Sequence, residues 1–129
     1  MKDLVRRVAI ASLIAAVLNT IVFFVATQVS GALIVTMPDA MELTIAQPLI
    51  FTLLLGVIGG SAVGYLALRT AQPKRTWVIV SIVALIVYGV PPFASAGLVT
   101  ALWFNVMHAV AGLILIPAVA SALPENTQK

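Results

Sequence analysis

The sequence contains a single histidine, His108, in the stretch NVMHAVAG near the end of the chain. Asn105 precedes it by one helical turn, and a second asparagine, Asn19, lies in the middle of another apolar stretch. An imidazole can carry a proton, bind a metal or form hydrogen bonds, and an amide can both donate and accept hydrogen bonds. Since an unpaired buried polar group is costly, each of these side chains requires a partner in its surroundings.

The residues around His108 give little support to catalytic or metal chemistry. The chain has no second histidine and no cysteine, and its long apolar stretches contain no aspartate or glutamate. A metal site needs several such ligands, and nucleophilic catalysis needs a nucleophile beside a base. We therefore expect no catalytic residue, no metal and no cofactor, and we expect that the protein is not an enzyme.

Two interpretations of the polar residues are open. Asn105, His108 and Gly112 share one helical face, and Asn19 is expected at the same depth as His108. In the first interpretation, Asn19 and neutral His108 form a hydrogen bond that fixes helix packing, with a strength of about 0.6 kcal/mol. In the second, the three polar residues form a midplane binding site of a transporter. The absence of a carboxylate partner for His108 favours the first.

Four apolar segments carry these residues. The chain has 129 residues, of which 62% are hydrophobic and 9% charged, so it is far more apolar than a soluble domain. A helix needs about 20 residues to cross the hydrocarbon core. We predict an all-α transmembrane four-helix bundle that forms one domain over residues 1–129. The predicted helices cover residues 8–28, 45–68, 76–90 and 95–123, followed by a tail at 124–129.

Proline and polar residues place the ends of these segments. Thr44 and Gln47 have the spacing of a capping box at the start of the second segment. Pro91 and Pro92 end the third segment because they cannot donate backbone hydrogen bonds. Residues 29–44 are predicted to form an outer loop, either with a short surface helix or as an ordered loop over the helix ends.

The basic residues predict the orientation of the bundle. Residues 29–44 and the connection after Pro92 contain no lysine or arginine. Since lysine and arginine collect on the cytoplasmic side, we expect both termini to be cytoplasmic. The basic residues flanking the segments are Lys2, Arg6 and Arg7 before the first and Arg69, Lys74 and Arg75 between the second and third.

The second segment contains a ridge of glycines, Gly56, Gly60 and Gly64, spaced by four residues. Such a ridge lets two helix backbones approach closely in lipid. Its partner is either another helix of the same chain or a second membrane chain, so a homo-oligomer or a membrane partner protein is one expectation. Gly112 is a further candidate packing glycine.

Three stretches resemble those of a known family. They are AAVLNTIVFFVA, LTIAQPLIFTLLLGVIGGSAVG and PPFASAGLVTALWFNVMHAVAGLILIPAVASALP. Their pattern resembles a family of small four-helix bacterial integral membrane proteins catalogued as a domain of unknown function. The resemblance implies residence in the cytoplasmic (inner) membrane of a bacterium and no assigned activity. It also implies that Asn19 and His108 occupy positions typical of the family.

We expect a non-enzymatic structural or accessory membrane subunit that resides in the lipid bilayer and binds no nucleic acid. The alternative is a small transporter or permease-like protein whose site includes His108 and Asn19. A water-accessible cavity that reaches His108 would favour the alternative, and a filled core would favour the structural role.

Overall fold

The computed structural model describes residues 2–126 and contains four long helices in that range. Each is long and apolar enough to cross a membrane, when the short helix after the third is counted with it. The predicted all-α four-helix fold class is confirmed. The helices are α1 (Lys2–Ser30), α2 (Ala46–Ala67), α3 (Pro73–Gly89), the short α4 (Pro91–Ser95) and α5 (Leu98–Ala120).

Helix α1 is the central element of the bundle. It packs along α2 on one side and α5 on the other, while α3 lies mainly against α5. Small side chains predominate on its buried face, which lets both neighbours approach closely. The buried residues of α1 are Leu4, Val8, Ala11, Ser12, Ala15, Ala16, Asn19, Phe23 and Ala26.

The helix ends differ from the predicted ones for local reasons. Helix α1 begins at Lys2 rather than Val8, because basic residues continue a helix although they cannot lie in hydrocarbon. It ends at Ser30, and the next residue, Gly31, has a φ of 76° and donates its backbone N–H to the Thr27 carbonyl. Helix α5 begins at Leu98 because the extended backbone of Ala96 separates it from α4.

The start of α2 contains half of the predicted capping box. The backbone N–H of Thr44 donates to Oε1 of Gln47, while the Thr44 hydroxyl does not cap the Gln47 N–H. Pro48 lies in the first turn, where its missing N–H has no helical partner to lose. These local contacts mark the end of the outer loop and the start of α2.

The outer loop forms an antiparallel hairpin of two short strands, β1 (Ile34–Val35) and β2 (Met41–Glu42). Of the two alternatives for residues 29–44, the structure shows an ordered loop rather than a short surface helix. Val35 also bridges Ala96, and the Thr36 N–H donates to the Ser95 carbonyl at 2.8 Å. These bonds join the hairpin to the α4–α5 connection, a non-local pairing that local sequence signals do not reveal.

The core consists of two apolar clusters at opposite ends of α1. Between them on α1 lie the buried polar residues Ser12 and Asn19. One cluster, named the inner cluster because it lies at the end of the bundle that holds the basic residues, comprises Leu4, Val8, Ala67, Trp77, Val119, Ala120 and Leu123. The outer cluster comprises Phe23, Ala26, Leu33 and Met107, so the hairpin contributes Leu33 to the core. Polar side chains are therefore enclosed between two apolar layers.

Candidate functional site

Asn19 is buried in the α1–α2 interface. Its Nδ2 donates a hydrogen bond to the hydroxyl oxygen of Thr52 on α2 at 3.0 Å, and its Oδ1 has no hydrogen-bond partner among residues 2–126. Sequence analysis overlooked Thr52, since threonines in apolar helices commonly bond their own backbone, as Thr20 does with Ala16. The available signal was its spacing, because Thr52 stands one turn before Gly56 on the glycine face.

His108 is half-buried on α5, and its Nδ1 is enclosed without a hydrogen-bond partner. The predicted direct hydrogen bond between His108 and Asn19 is not formed, because the Asn19 amide donates to Thr52 instead. The error has a physical origin. Helical periodicity predicted the depth and face of each residue, but it does not determine which neighbour a side chain reaches first.

Asn105 joins α5 to the end of α3. Its Nδ2 donates to the carbonyl of Gly89 at 3.0 Å and to that of Ala101 at 2.9 Å. The Gly89 carbonyl lacks its helical partner because the Phe93 N–H bonds Val90 instead. The asparagine therefore satisfies an end-of-helix carbonyl. Since its donor is used at the α3–α5 contact, Asn105 does not join Asn19 in one hydrogen-bonded cluster.

Two glycines, Gly89 and Gly112, allow α3 and α5 to approach each other closely. A Cβ built on Gly89 would lie 2.5 Å from Oδ1 of Asn105, and one built on Gly112 would lie 2.5 Å from Cδ1 of Leu85. The proline pair after Gly89 was the signal in the sequence that α3 would end with free carbonyls. The identity of the residue that satisfies one of them required the tertiary structure.

The glycine ridge of α2 packs against α1 of the same chain. A Cβ on Gly56 would lie 2.6 Å from Oγ of Ser12, and one on Gly60 would lie 2.9 Å from Cγ1 of Val8. A Cβ on Gly64 would lie 3.3 Å from the Leu4 side chain. Of the two partners considered for this ridge, the structure shows the helix of the same chain.

The two tryptophans form hydrogen bonds of different kinds. Trp77 is 4% exposed and donates Nε1–H to the carbonyl of Ile116 on α5 at 2.9 Å. Its ring is therefore enclosed by the bundle. Trp103 is half-buried and donates Nε1–H to the Ser30 hydroxyl at 2.9 Å, at the outer end of α1.

Two shallow grooves lie on the described surface of the bundle, and His108 does not line either of them. Among residues 2–126, no group of three or more His, Cys, Asp or Glu side chains is placed to hold a metal ion. One groove lies between α1 and α5 and is lined by Arg7, Ile10, Ala11, Ile14, Ile114 and Ala118. The other lies at the start of α3 and is lined by Gln72, Lys74, Arg75, Val78, Ile79 and Glu125.

The fold and its polar contacts define a class, that of small helical bundles whose long helices all have the length and apolarity needed to cross a membrane. The chain belongs to DUF6069, a family of unknown function, whose model matches residues 1–125. The resemblance to a four-helix family of unknown function is thereby confirmed. No match was found among curated proteins or among solved structures.

Proposed function

We propose that the protein is a non-enzymatic integral membrane protein that acts as a structural or accessory subunit of a bacterial cytoplasmic membrane. The observation that carries this proposal is the use of its asparagine side chains. Asn105 connects α5 to the end of α3, and Asn19 connects α1 to α2. The residues best suited to bind a ligand therefore hold helices together.

The exposed surface supports residence in a lipid bilayer. Helix α2 exposes large apolar side chains such as Leu55 and Ile58, and α3 exposes Ile86 and Val87. An apolar surface of this kind on a soluble protein would need a partner to cover it, whereas lipid covers it directly. A membrane partner or a second copy of the chain belongs to this proposal, and no nucleic acid does. Because α1 covers the glycine ridge, such a partner would contact the outward faces of α2 and α3.

The distribution of charge supports cytoplasmic termini. Arg7 donates to the Ser121 hydroxyl at 3.0 Å, and Lys74 forms an ion pair with Glu125 at 3.2 Å. The start of α1, the α2–α3 connection and the segment after α5 therefore lie at one end of the bundle, where the basic residues gather. The hairpin at the other end contains no lysine or arginine. By the positive-inside rule, the basic end is cytoplasmic.

Cysteine labelling tests this orientation at a single introduced position, since the chain itself contains no cysteine. Ala40→Cys in the hairpin and Ala71→Cys in the α2–α3 connection are matched variants at exposed alanines. A membrane-impermeant maleimide applied to intact cells should label the first, and should label the second only after lysis. The opposite pattern would refute cytoplasmic termini, and labelling of both variants in intact cells would contradict insertion in one orientation.

A thermal-stability screen tests the structural role. The purified protein and the His108→Ala variant are heated across a range of pH with small lipophilic cations and metabolites. We expect that no compound raises the midpoint temperature of unfolding of the wild type and that the variant is less stable at every pH. A saturable increase in the wild-type midpoint that disappears in the variant would contradict a purely structural role.

A second candidate function is a small transporter or permease-like protein. The observation that favours it is that Asn19 Oδ1 and His108 Nδ1 both lack protein partners. Enclosed polar atoms in a membrane bundle often belong to a transport pathway. The same screen separates the two functions, because a transport site would give the ligand-dependent increase described above.

A further inference from the structure

Three helices meet at a point defined by Ser12, Gly56 and Leu115. The Cβ position of Gly56 lies 2.6 Å from Oγ of Ser12 on α1 and 3.6 Å from Cδ1 of Leu115 on α5. All three positions face the common axis of α1, α2 and α5. This contact fixes how the three helices are aligned along that axis.

The alignment brings His108 towards Asn19. Seven residues are close to two helical turns, about 10.5 Å, and return to the same face. Asn19 stands seven residues after Ser12, and His108 stands seven before Leu115. Because α1 runs antiparallel to α5, both steps lead from the shared contact towards the outer end of the bundle. On α2, Thr52 lies about one turn from Gly56 in the same direction, and its hydroxyl accepts the hydrogen bond from Asn19.

The contacts between α1 and α5 give the same register independently. Arg7 bonds Ser121 near the inner end, and Phe23 and Met107 belong to one apolar cluster near the outer end. Between these two points, His108 lies at the level of the residues just after Asn19. His108 and Asn19 therefore lie within about one helical turn of each other along the bundle axis.

Among residues 2–126, each of these side chains contains a buried polar atom without a hydrogen-bond partner. Asn19 is 3% exposed and its Oδ1 has no partner, and Nδ1 of His108 is likewise enclosed and unpaired. Thr52 accepts a hydrogen bond from Asn19, which leaves its own hydroxyl proton unused by that bond. We call Asn19, Thr52 and His108 the polar layer. The inner and outer apolar clusters lie on either side of this layer along α1.

We propose that this layer binds a water molecule that bridges Asn19 Oδ1 and His108 Nδ1 and so connects α1 to α5. The water donates one proton to each acceptor when Nδ1 is unprotonated, and it accepts from the Thr52 hydroxyl. These partners fall within the two to four hydrogen bonds that buried waters make. The inference deepens the packing role proposed above, on which it rests.

The ligand is a water rather than a larger solute because the surrounding positions are tightly packed. Ala15 and Ala16 on α1 are fully buried, and the Cβ position of Gly56 is already in close contact. Apolar residues flank the layer, so a bridging molecule must satisfy every polar atom locally. Water can do this with the least volume.

Water-edited solid-state NMR of the protein in liposomes tests the bridge directly. With one histidine in the chain, ¹⁵N-histidine labelling reports on His108 alone. We expect rapid magnetisation transfer from water to the imidazole nitrogen in the wild type, at least about threefold slower in Asn19→Leu. Asn105→Leu is the matched control and should leave the transfer unchanged, since Asn105 bonds Gly89 and Ala101 instead. Transfer as slow in the wild type as in Asn19→Leu would overturn the proposal.

A double-mutant cycle provides a second measurement. We expect Asn19→Leu and His108→Leu together to depart from additivity in melting temperature by about 2 °C or more, whereas Asn19→Leu and Asn105→Leu should add. Additive effects in the first pair would overturn the bridge. If the single variants still destabilise the protein, the packing role stands without the bridge. If they leave stability unchanged, the packing role fails as well.

Discussion

Two interfaces of the bundle, α1 with α2 and α3 with α5, hold helices together by different means. The α1–α2 interface is continuous, since Gly56, Gly60 and Gly64 each meet a residue of α1 one turn after another. The α3–α5 interface depends on separate contacts. Asn105 bonds the Gly89 carbonyl, and Trp77 bonds the Ile116 carbonyl.

The difference follows from the ends and breaks of the helices. Helix α2 has proline only in its first turn, so a regular ridge can run along it. Helix α3 ends before two prolines, which leaves the Gly89 carbonyl for the Asn105 side chain. Where backbone hydrogen bonding is interrupted in lipid, side chains or neighbouring helices must satisfy the carbonyls. Close backbone packing therefore stabilises one interface, and hydrogen bonds to carbonyls stabilise the other.

The largest effect should come from filling the glycine ridge. Gly56→Leu forces a side chain into Ser12 and should lower the free energy of unfolding by about 2–3 kcal/mol. Gly59→Leu is the matched control, because nothing lies within 4 Å of a Cβ at Gly59. Unfolding in mixed detergent and SDS micelles measures both. Equal losses in the two variants would show that the ridge does not hold α1 and α2 together.

Trp77→Phe should have the next largest effect. The substitution keeps an aromatic ring in the inner cluster but removes the donor to Ile116, which costs about 1 kcal/mol or slightly more. Trp103→Phe also removes one donor, but at a half-buried site where water can replace it, so its loss should be smaller. The same SDS titration compares them. A larger loss in Trp103→Phe would mean that buried carbonyl contacts do not stabilise the α3–α5 interface.

Asn105→Ala should destabilise the bundle moderately. Removal of the amide leaves the Gly89 carbonyl without its side-chain donor, and hydrogen bonds between membrane helices average about 0.6 kcal/mol. Asn105→Gln offers a comparison that retains an amide on a longer side chain, and it should recover less than the full stability because the geometry changes. If Asn105→Ala is as stable as the wild type, the contact at the end of α3 contributes no stability.

Glu125→Gln should have almost no effect. The ion pair with Lys74 is exposed, with side-chain exposures of 45% and 79%, and such pairs contribute less than about 0.5 kcal/mol. Thermal unfolding at low and high salt measures the contribution of this ion pair to stability, with the wild type as control. A clear loss of stability confined to low salt would show that this end of α3 depends on charge rather than on buried contacts.

The fold was predictable because its signals are local and strong. Three signals can be read directly from the sequence: the length of the apolar segments, the prolines at 48, 91 and 92, and the basic residues near the helix ends. The hairpin was not predictable in the same way, because Val35 and Thr36 pair with residues at Ala96 and Ser95 far along the chain. A strand of two residues carries too little periodicity to be recognised.

The candidate site was only partly predictable. Helical spacing correctly separated the polar side chains from the apolar surface, since Asn19 is buried and Asn105 and His108 are partly buried. It predicted a hydrogen bond between Asn19 and His108, whereas in the structure Asn19 forms a hydrogen bond with Thr52. The cytoplasmic position of the termini remains a prediction from the basic residues.

The sequence by itself determined that the chain forms four apolar helices and that a few polar side chains would be enclosed among them. Both follow from composition and from the 3.6-residue period, which are properties of the chain alone. Tertiary structure decided which helix covers the glycine ridge, which carbonyl Asn105 satisfies and which hydroxyl Asn19 reaches. Those choices depend on the rotation of each helix about its axis and on the contact distance between helices. Both are set by packing of the whole bundle and not by any single segment.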